Sequence, residues 1–384
     1  MFSRENMWKA SFLRIFWILA LILFCLLLTP AVRQLFFEHL GRWLYILLFA
    51  FSTAALLTPI MMFIAARAGI VDAPGGRKIH ARVTPLLGGV AIIISFISAL
   101  LANMILDVRD VALIAGGTVM AIVGLIDDWK NIPAWFKLFI QVCVVIVLIR
   151  SGIILDLFPI HTTWGYLLNA ALSIIWIVGL TNAMNFIDGM DGLATGVSAI
   201  MSLFMGIVAF QTNQPFMGWI AIAMLGSCLG FLPFNFSLHK PASIFLGDAG
   251  STFFGFVLSA LAIKAAWADN NPIVSFATPI LIFWVLIYDM AYISIERIIT
   301  GKVKSFQDWI DYVGTDHIHH RLLVIFGDRR KVVFFIFFLC ATLGISAVTL
   351  RGARPIDGIL TVVQAFLITV IVSILEYSGR NHTK

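Results

Sequence analysis

Residues 165–192 read GYLLNAALSIIWIVGLTNAMNFIDGMDG. The first part of this stretch, 165–184, carries no charged side chain and is about as long as a helix that crosses ~30 Å of hydrocarbon. It leads into a loop in which Asn and Asp alternate with glycine. The stretch therefore predicts a membrane-spanning helix that ends in a loop of oxygen-bearing side chains.

The composition extends this interpretation to the whole chain. Of the 384 residues, 61% are hydrophobic and 12% are charged, whereas a soluble domain carries about 25% charged residues. Apolar stretches of spanning length recur at 12–31, 43–66, 87–106, 111–126, 136–155, 165–184, 196–211, 216–233, 252–268, 273–295, 332–350 and 358–376. We predict an all-α, polytopic membrane protein of about 11–12 transmembrane helices, with its catalytic residues in cytoplasmic loops.

The distribution of basic residues predicts the orientation. An even number of spans places both termini on one side, and most of the 26 Lys and Arg residues fall on that side. The positive-inside rule then makes both termini cytoplasmic. The first span also resembles a signal peptide, and we interpret it as an uncleaved anchor because no small-x-small cleavage site follows it.

Five loops on the predicted cytoplasmic side collect the side chains that are capable of catalysis. The first, 72–89, combines glycine and proline with a cationic cluster that includes Lys78 and His80, which suits phosphate or serves simply as a positive-inside anchor. The second contains Asp127 and Asp128. Adjacent carboxylates at a membrane surface persist where a cation or proton chemistry stabilises them, although they also occur as an acidic turn that ends a helix.

The next two loops offer hard oxygen ligands. The third contains Asn185, Asp188 and Asp191, and carboxylate and amide oxygens are the ligands that Mg²⁺ and Mn²⁺ prefer. The fourth begins near Asn235 and ends in the segment 245–252, which reads FLGDAGST. Its carboxylate, Asp248, is either a further metal ligand or only the cap of the helix that follows.

The fifth loop packs three histidines and an arginine into 317–321. A zinc site is the obvious interpretation, but no cysteine accompanies the histidines and the neighbouring ligands are hard oxygens, so phosphate binding fits better. The five loops together supply metal ligands, cationic donors and further carboxylates. Phosphoryl transfer requires that combination.

The motifs also resemble a known family. Asp-x-Pro-x-x-Arg-Lys-x-His, Asp-Asp, Asn-Ala-x-Asn-x-x-Asp-Gly-x-Asp-Gly-Leu, Phe-Leu-Gly-Asp-Ala-Gly-Ser and His-Ile-His-His-Arg follow one another between residues 43 and 326. In order and spacing they resemble the polyprenyl-phosphate N-acetylhexosamine-1-phosphate transferases of glycosyltransferase family 4. The His-Ile-His-His-Arg form is similar to the bacterial undecaprenyl-phosphate GlcNAc-1-phosphate transferase branch, which starts O-antigen, teichoic acid or capsule synthesis.

The resemblance implies a reaction and its partners. A Mg²⁺-dependent enzyme, with Mn²⁺ as an alternative, would transfer GlcNAc-1-phosphate from UDP-GlcNAc to undecaprenyl phosphate and release UMP. We expect a bacterial inner-membrane protein with a cytoplasmic site, no nucleic-acid partner and assembly as a homodimer. The domain division that follows is 1–42 for a tail and an extra helix, 43–326 for the transferase domain, and 327–384 for two further helices.

The resemblance also implies residue roles. It assigns catalysis to Asp127, Asp128, His317, His319, His320 and Arg321. It assigns substrate binding to Lys78, His80, Asp188, Asp191, Asn235 and Phe245. It assigns the metal to Asp248 and Asn185. Within these sets Asp127 would be the base or nucleophile, Asp191 and Phe245 would hold the uracil, and the histidines with Arg321 would bind diphosphate or sugar.

Three questions stay open at this point. The donor is UDP-GlcNAc, UDP-MurNAc-pentapeptide or another UDP-HexNAc, and the last two remain because the segment 304–316 departs from the family pattern. The lipid phosphate attacks directly, or a phospho-aspartyl enzyme forms first; we favour direct attack because the lipid phosphate is already largely anionic near neutral pH. A secondary transporter is the alternative of another class.

Overall fold

The computed structural model describes residues 4–72, 83–105, 107–265, 267, 272–312, 314–350 and 352–382. Lys78 and His80, predicted to bind substrate, lie outside the described residues. The described chain is predominantly helical, and it contains several long apolar helices. These findings confirm the predicted all-α, polytopic membrane fold.

Sixteen α-helices are described. Their bounds are α1 Arg4–Leu27, α2 Pro30–Leu35, α3 Arg42–Ala68, α4 Gly88–Ala102, α5 Val108–Lys130, α6 Ala134–Arg150, α7 Thr163–Ile187, α8 Leu193–Gln211, α9 Pro215–Asn235, α10 Gly247–Lys264, α11 Pro272–Ile282, α12 Trp284–Ile299, α13 Phe306–Asp311, α14 Ile318–Phe326, α15 Arg329–Thr349 and α16 Pro355–His382. A π-helical turn at Phe36–Leu40 follows α2. Two short antiparallel strands, β1 (Val71–Asp72) and β2 (Thr84–Pro85), pair before α4.

Seven of the described helices, α3, α5, α7, α8, α9, α15 and α16, are long and apolar enough to cross a membrane alone. Two bent pairs raise the number to nine: Phe12–Leu27 with Pro30–Leu40, bent by 81°, and Ile273–Ile282 with Trp284–Ile299, bent by 77°. The remaining predicted spans fall on the shorter helices α4, α6 and α10. A helix therefore lies at every predicted span, while the count of 11–12 crossings stays a prediction.

The helix α10 lies at the centre of the bundle. Most of its side chains are buried, and it packs against α4, α5, α7 and α8. Glycines allow the closest approaches. A Cβ on Gly124 of α5 would lie 2.5 Å from the carbonyl carbon of Asp248, and a Cβ on Gly89 of α4 would overlap the backbone of Gly250.

Side chains and backbone of other helices complete both ends of α10. At its first turn, Asp128 of α5 accepts hydrogen bonds from the backbone N–H of Asp248 (3.0 Å) and of Ala249 (3.3 Å). These donors have no partner within their own helix, so a carboxylate from another helix stabilises them. At the far end, the buried Lys264 forms an ion pair with Asp110 of α5. Polar contacts thus join α10 to α5 at both ends.

The start of α4 is built in the same way. The backbone N–H of Gly88 donates to the carbonyl of Phe245 (3.1 Å), and the N–H of Gly89 donates to the carbonyl of Leu246 (2.8 Å). The N–H of Phe245 in turn donates to the carbonyl of Pro85 (2.8 Å). The loop before α10 therefore supplies acceptors for the first turn of α4, and the two helices begin at the same place.

We expect Gly124→Ala to destabilise the fold. The added methyl group would meet the backbone of Asp248, which cannot move away as a side chain can, and overpacking of this kind costs about 1–3 kcal/mol. The midpoint of thermal unfolding in detergent should fall by several degrees. Gly179→Ala in α7 is the matched control, because a Cβ there has no neighbour within 4 Å. Equal midpoints for the two variants would contradict this packing.

Candidate active site

A cavity of about 420 Å³ opens where five loops meet at one end of the bundle. The lining residues come from five places: β1 and the residue after β2, the end of α5 with the loop after it, the loop between α7 and α8, the end of α9 through the start of α10, and α14 with the first residue of α15. The predicted site residues that line the cavity are Asp127, Asp128, Asp188, Asp191, Asn235, Phe245, Asp248 and His320. The sequence motifs, which are far apart in the chain, therefore converge on one space.

A lysine lies between two of the carboxylates. Lys137 Nζ lies 2.6 Å from Asp127 Oδ2 and 3.8 Å from Asp248 Oδ2. The other oxygen of Asp127 accepts a hydrogen bond from the backbone N–H of Ile132 (2.6 Å). Asp127 is therefore held in one orientation with its charge balanced, at the wall of the cavity.

Asp128 differs from its neighbour, because both of its oxygens face the start of α10. A Cβ on Gly247 would lie 2.6 Å from Asp128 Oδ2, and this glycine has a φ of +76° that other residues rarely adopt. Asp128 thus fixes the turn that carries Asp248. The two adjacent aspartates have different surroundings, which the sequence alone does not reveal.

The carboxylates are crowded. Burial, followed by the nearby charges of Asp248 and Asp128, raises the pKa of Asp188 well above its usual range. Burial and the contact with Asp127 raise the pKa of Asp248, which precedes the predicted span 252–268, to about 6. Such crowding makes the site suitable for a cation, because a positive charge would relieve the repulsion.

Asn185 lies beside Asp248 in a narrow crevice that Lys137 also lines. Its Nδ2 donates a hydrogen bond to Ser251 Oγ at 2.9 Å. The predicted metal pair is therefore adjacent in space, although Asn185 does not line the main cavity. Within the described ranges, no group of three or more His, Cys, Asp or Glu side chains forms a ready-made metal cage.

Two residues predicted to bind the nucleoside have structural contacts as well. Asp191 Oδ2 accepts a hydrogen bond from the backbone N–H of Ala242 (2.7 Å), which ties the loop before α10 to the start of α8. Asn235 accepts from Thr195 Oγ1 (3.0 Å) and donates to the carbonyl of Ile244 (3.0 Å). Both residues line the cavity, so they shape its wall as well as face it.

The three histidines lie at different depths. His320 lines the cavity. His319 is buried, with its ring against Gly189 and 4.2 Å from the ring of His320 between centroids. Burial lowers the pKa of His319 well below its usual range and that of His320 less strongly, so both are neutral near pH 7. His317 is buried, and its Nδ1 lies 2.7 Å from Asp289 Oδ2.

Arg321 is not among the residues that line the cavity. Its guanidinium is almost fully buried, with Nε 3.0 Å from Glu376 Oε2 and the group 3.7 Å from the centre of the Tyr292 ring. The family resemblance implies that Arg321 binds diphosphate or sugar, and this role stays a prediction. The structure gives it buried protein partners.

The cavity contains polar residues that were not predicted: Asp72, Asn131 and Arg329. Lys137, which contacts two predicted residues, was also missed. In the sequence analysis Lys137 and Arg329 were counted only among the basic residues that indicate the cytoplasmic side. The signal available for Lys137 was its position at the start of the helix that follows the Asp127–Asp128 pair, where the chain must turn back toward those carboxylates.

Comparison with known proteins identifies the family. A model described as "Glycosyl transferase family 4" matches residues 111–266. A probable undecaprenyl-phosphate N-acetylglucosaminyl 1-phosphate transferase of Bacillus subtilis is 33% identical over 322 residues, which cover 82% of this chain and 87% of the relative. The chain belongs to glycosyl transferase family 4. Membership confirms the predicted family and the prediction of a phosphotransferase enzyme.

More distant members of glycosyl transferase family 4 agree over most of the chain. The decaprenyl-phosphate N-acetylglucosaminephosphotransferase of Mycobacterium tuberculosis is 28% identical over 366 residues, covering 85% of this chain and 88% of the relative. An undecaprenyl-phosphate alpha-N-acetylglucosaminyl 1-phosphate transferase of Escherichia coli is 27% identical over 303 residues, which cover 75% of this chain and 79% of the relative. With the chain placed in a transferase family, the transporter alternative loses its basis.

We expect Lys137→Met to slow the transferase reaction by at least about tenfold, which corresponds to ~1.4 kcal/mol of barrier. Without the ammonium, Asp127 and Asp248 repel each other and Asp127 loses its fixed orientation. Rates at saturating substrates provide the measurement. Lys130→Met is the matched control, because Lys130 is exposed and lies over the Trp129 ring, 4.5 Å from its centre. Unchanged rates for both variants would show that Lys137 has no part in the site.

Proposed function

We propose that this protein transfers GlcNAc-1-phosphate from UDP-GlcNAc to undecaprenyl phosphate, giving undecaprenyl-diphospho-GlcNAc and UMP. The observation that carries the proposal is the convergence of the acidic and histidine motifs on one cavity at one end of a membrane bundle. A lipid phosphate at the membrane surface and a soluble nucleotide can meet in such a place. The names of the relatives in Bacillus and Escherichia support the lipid and the sugar.

The donor set fits a hard divalent cation. Mg²⁺ binds through one or two carboxylates together with substrate phosphates and water, so it does not need an all-protein cage. Asp248 is the best placed ligand, because it lines the cavity and because its burial and its contact with Asp127, which raise its pKa, would both be offset by a bound cation. Asn185 is next to it. When bound, Mg²⁺ (or Mn²⁺) would neutralise the charge of the donor diphosphate.

The protein's own groups then position the two substrates. An oxygen of the lipid phosphate attacks the β-phosphorus of UDP-GlcNAc, the bond to the bridging oxygen breaks, and UMP leaves with that oxygen. Asp127, held by Lys137, is placed to orient the acceptor or to take its remaining proton. His320 and Arg329, which also line the cavity, supply donors for phosphate or sugar.

The nucleoside has a suitable place as well. Phe245 and Asp191 line the same cavity as Asp248. A ring and a carboxylate can hold uracil, the first by stacking and the second by accepting its N–H. This arrangement supports the roles that the family resemblance implies for the two residues.

The orientation is part of the proposal. Nucleotide sugars are made in the cytosol, so the cavity should face the cytoplasm of a bacterial inner membrane, with both termini on that side. The excess of basic residues in the loops around the cavity supports this orientation. The product would start a cell-surface polysaccharide such as O-antigen, teichoic acid or capsule.

We expect the purified protein to release UMP from UDP-GlcNAc only when both undecaprenyl phosphate and Mg²⁺ are present. The lipid is the nucleophile and the cation balances the diphosphate charge, so neither should be dispensable. The measurement is UMP release together with transfer of radiolabelled GlcNAc to the lipid phase. UDP-MurNAc-pentapeptide and UDP-GalNAc serve as competing donors.

Two outcomes would contradict parts of this account. UMP release that does not depend on the lipid and the metal would exclude the proposed reaction. Faster transfer from UDP-MurNAc-pentapeptide or UDP-GalNAc would show that GlcNAc is not the preferred donor sugar. Radiolabelled GlcNAc that stays with the denatured protein after incubation with donor alone would show a covalent intermediate on an aspartate. That result would exclude direct attack by the lipid phosphate.

A further inference from the structure

The start of helix α14, which carries the histidine motif, is fixed to α12 by polar contacts of two residues of α12, Arg297 and Asp289. Arg297 donates two hydrogen bonds to Asp316, of 2.8 and 2.7 Å. Asp289 accepts a hydrogen bond from the backbone N–H of Ile318 (2.6 Å), and its other oxygen lies 2.7 Å from His317 Nδ1. These contacts hold the beginning of α14 on one side.

Arg321, one turn further along α14, makes its closest charged contact elsewhere. Its Nε lies 3.0 Å from Glu376 Oε2, which comes from α16, the last helix of the chain. Asp289 is the other acid nearby, with its Oδ1 3.9 Å from Arg321 Nη2. Its two oxygens already contact His317 and the backbone N–H of Ile318. The side chain of Arg321 is 1% exposed and that of Glu376 is 3% exposed.

A buried guanidinium cannot lose its proton, so it needs an opposite charge beside it. Tyr292, whose ring centre is 3.7 Å away, supplies a favourable face but no net charge. Glu376 is the acid in direct contact. Removing its charge would leave the buried arginine with only the more distant Asp289, which His317 and Ile318 already contact, and α14 would move to relieve this.

A movement of α14 would reach the cavity directly. The buried ring of His319 packs against Gly189, a residue of the cavity wall, and the ring of His320 lies 4.2 Å from that of His319 and lines the cavity. Arg321 follows His320 in the chain. The position of the arginine therefore sets the position of the histidine that faces the substrate.

We propose that Glu376 is a positioning residue of the active site: through its contact with Arg321 it holds α14 so that His319 stays packed against Gly189 and His320 faces the cavity. The last helix thus takes part in the site, although the sequence division at 326/327 places it outside the transferase segment. The activity readout of this inference rests on the proposed function. The structural readout does not.

We expect Glu376→Gln to lower kcat/KM for UDP-GlcNAc by at least about tenfold. Glu376→Asp, which keeps the charge, should retain more activity than Glu376→Gln. Asp357→Asn is the matched control, because Asp357 lies on the same helix but pairs at the surface with Arg354. It should keep the activity of the original protein. Hydrogen exchange should show faster exchange of the α14 amides in Glu376→Gln, with α5 and α10 unchanged.

A second comparison separates positioning from a general loss of folding. Replacing both charges with apolar residues, Arg321→Met with Glu376→Met, leaves no unpaired buried charge, so α14 should regain slow exchange. The activity losses of the single variants Arg321→Met and Glu376→Met should also not add in the double variant. Additive losses, or α14 exchange unchanged in Glu376→Gln, would overturn the inference.

The test distinguishes this inference from the proposed function. If the original protein transfers no GlcNAc-1-phosphate, the proposed function fails, while the exchange measurement still decides whether Glu376 holds α14. If the original protein is active and Glu376→Gln matches it in kcat/KM, the positioning role fails and the proposed function stands.

Discussion

The contact of Asp128 with the first turn of α10 is the interaction on which the site depends. The carboxylate accepts from two backbone N–H groups that have no partner within their helix. It can reach them because Gly124 lets α5 lie against the backbone of Asp248. Phe245 and Leu246, directly before that turn, supply backbone acceptors for the start of α4. Three helices therefore begin or end at one place, and the loops that adjoin them must share one space.

This arrangement has an electrostatic consequence. The turn that brings the helices together also brings carboxylates close, and their burial and repulsion raise the pKa of Asp188 and of Asp248. Lys137 offsets part of the negative charge by contacting Asp127 and, at a longer distance, Asp248. The remaining negative charge suits a divalent cation that arrives with a diphosphate. Packing thus creates the condition that the proposed chemistry uses.

Much of this was predictable from the sequence, for physical reasons. Long apolar runs must become helices in a membrane, because lipid offers no hydrogen-bond partners, and this fixed the fold class. Motifs in loops on one side were expected to meet, and eight of the predicted residues do line one cavity. Lys137 was missed because a basic residue on the predicted cytoplasmic side is already explained by the positive-inside rule. The surroundings of Arg321 were missed because they depend on Glu376, which lies 55 positions later in the chain. A local motif cannot show such a partner.

The most direct test of the central claim is to locate Mn²⁺ and the nucleotide in an experimental structure of the protein with UDP-GlcNAc, using the anomalous signal of the metal. The account predicts one Mn²⁺ at about 2 to 2.5 Å from a carboxylate oxygen of Asp248 and from the donor diphosphate. It also predicts the uracil beside Phe245. A metal and a diphosphate bound away from the start of α10 would contradict it.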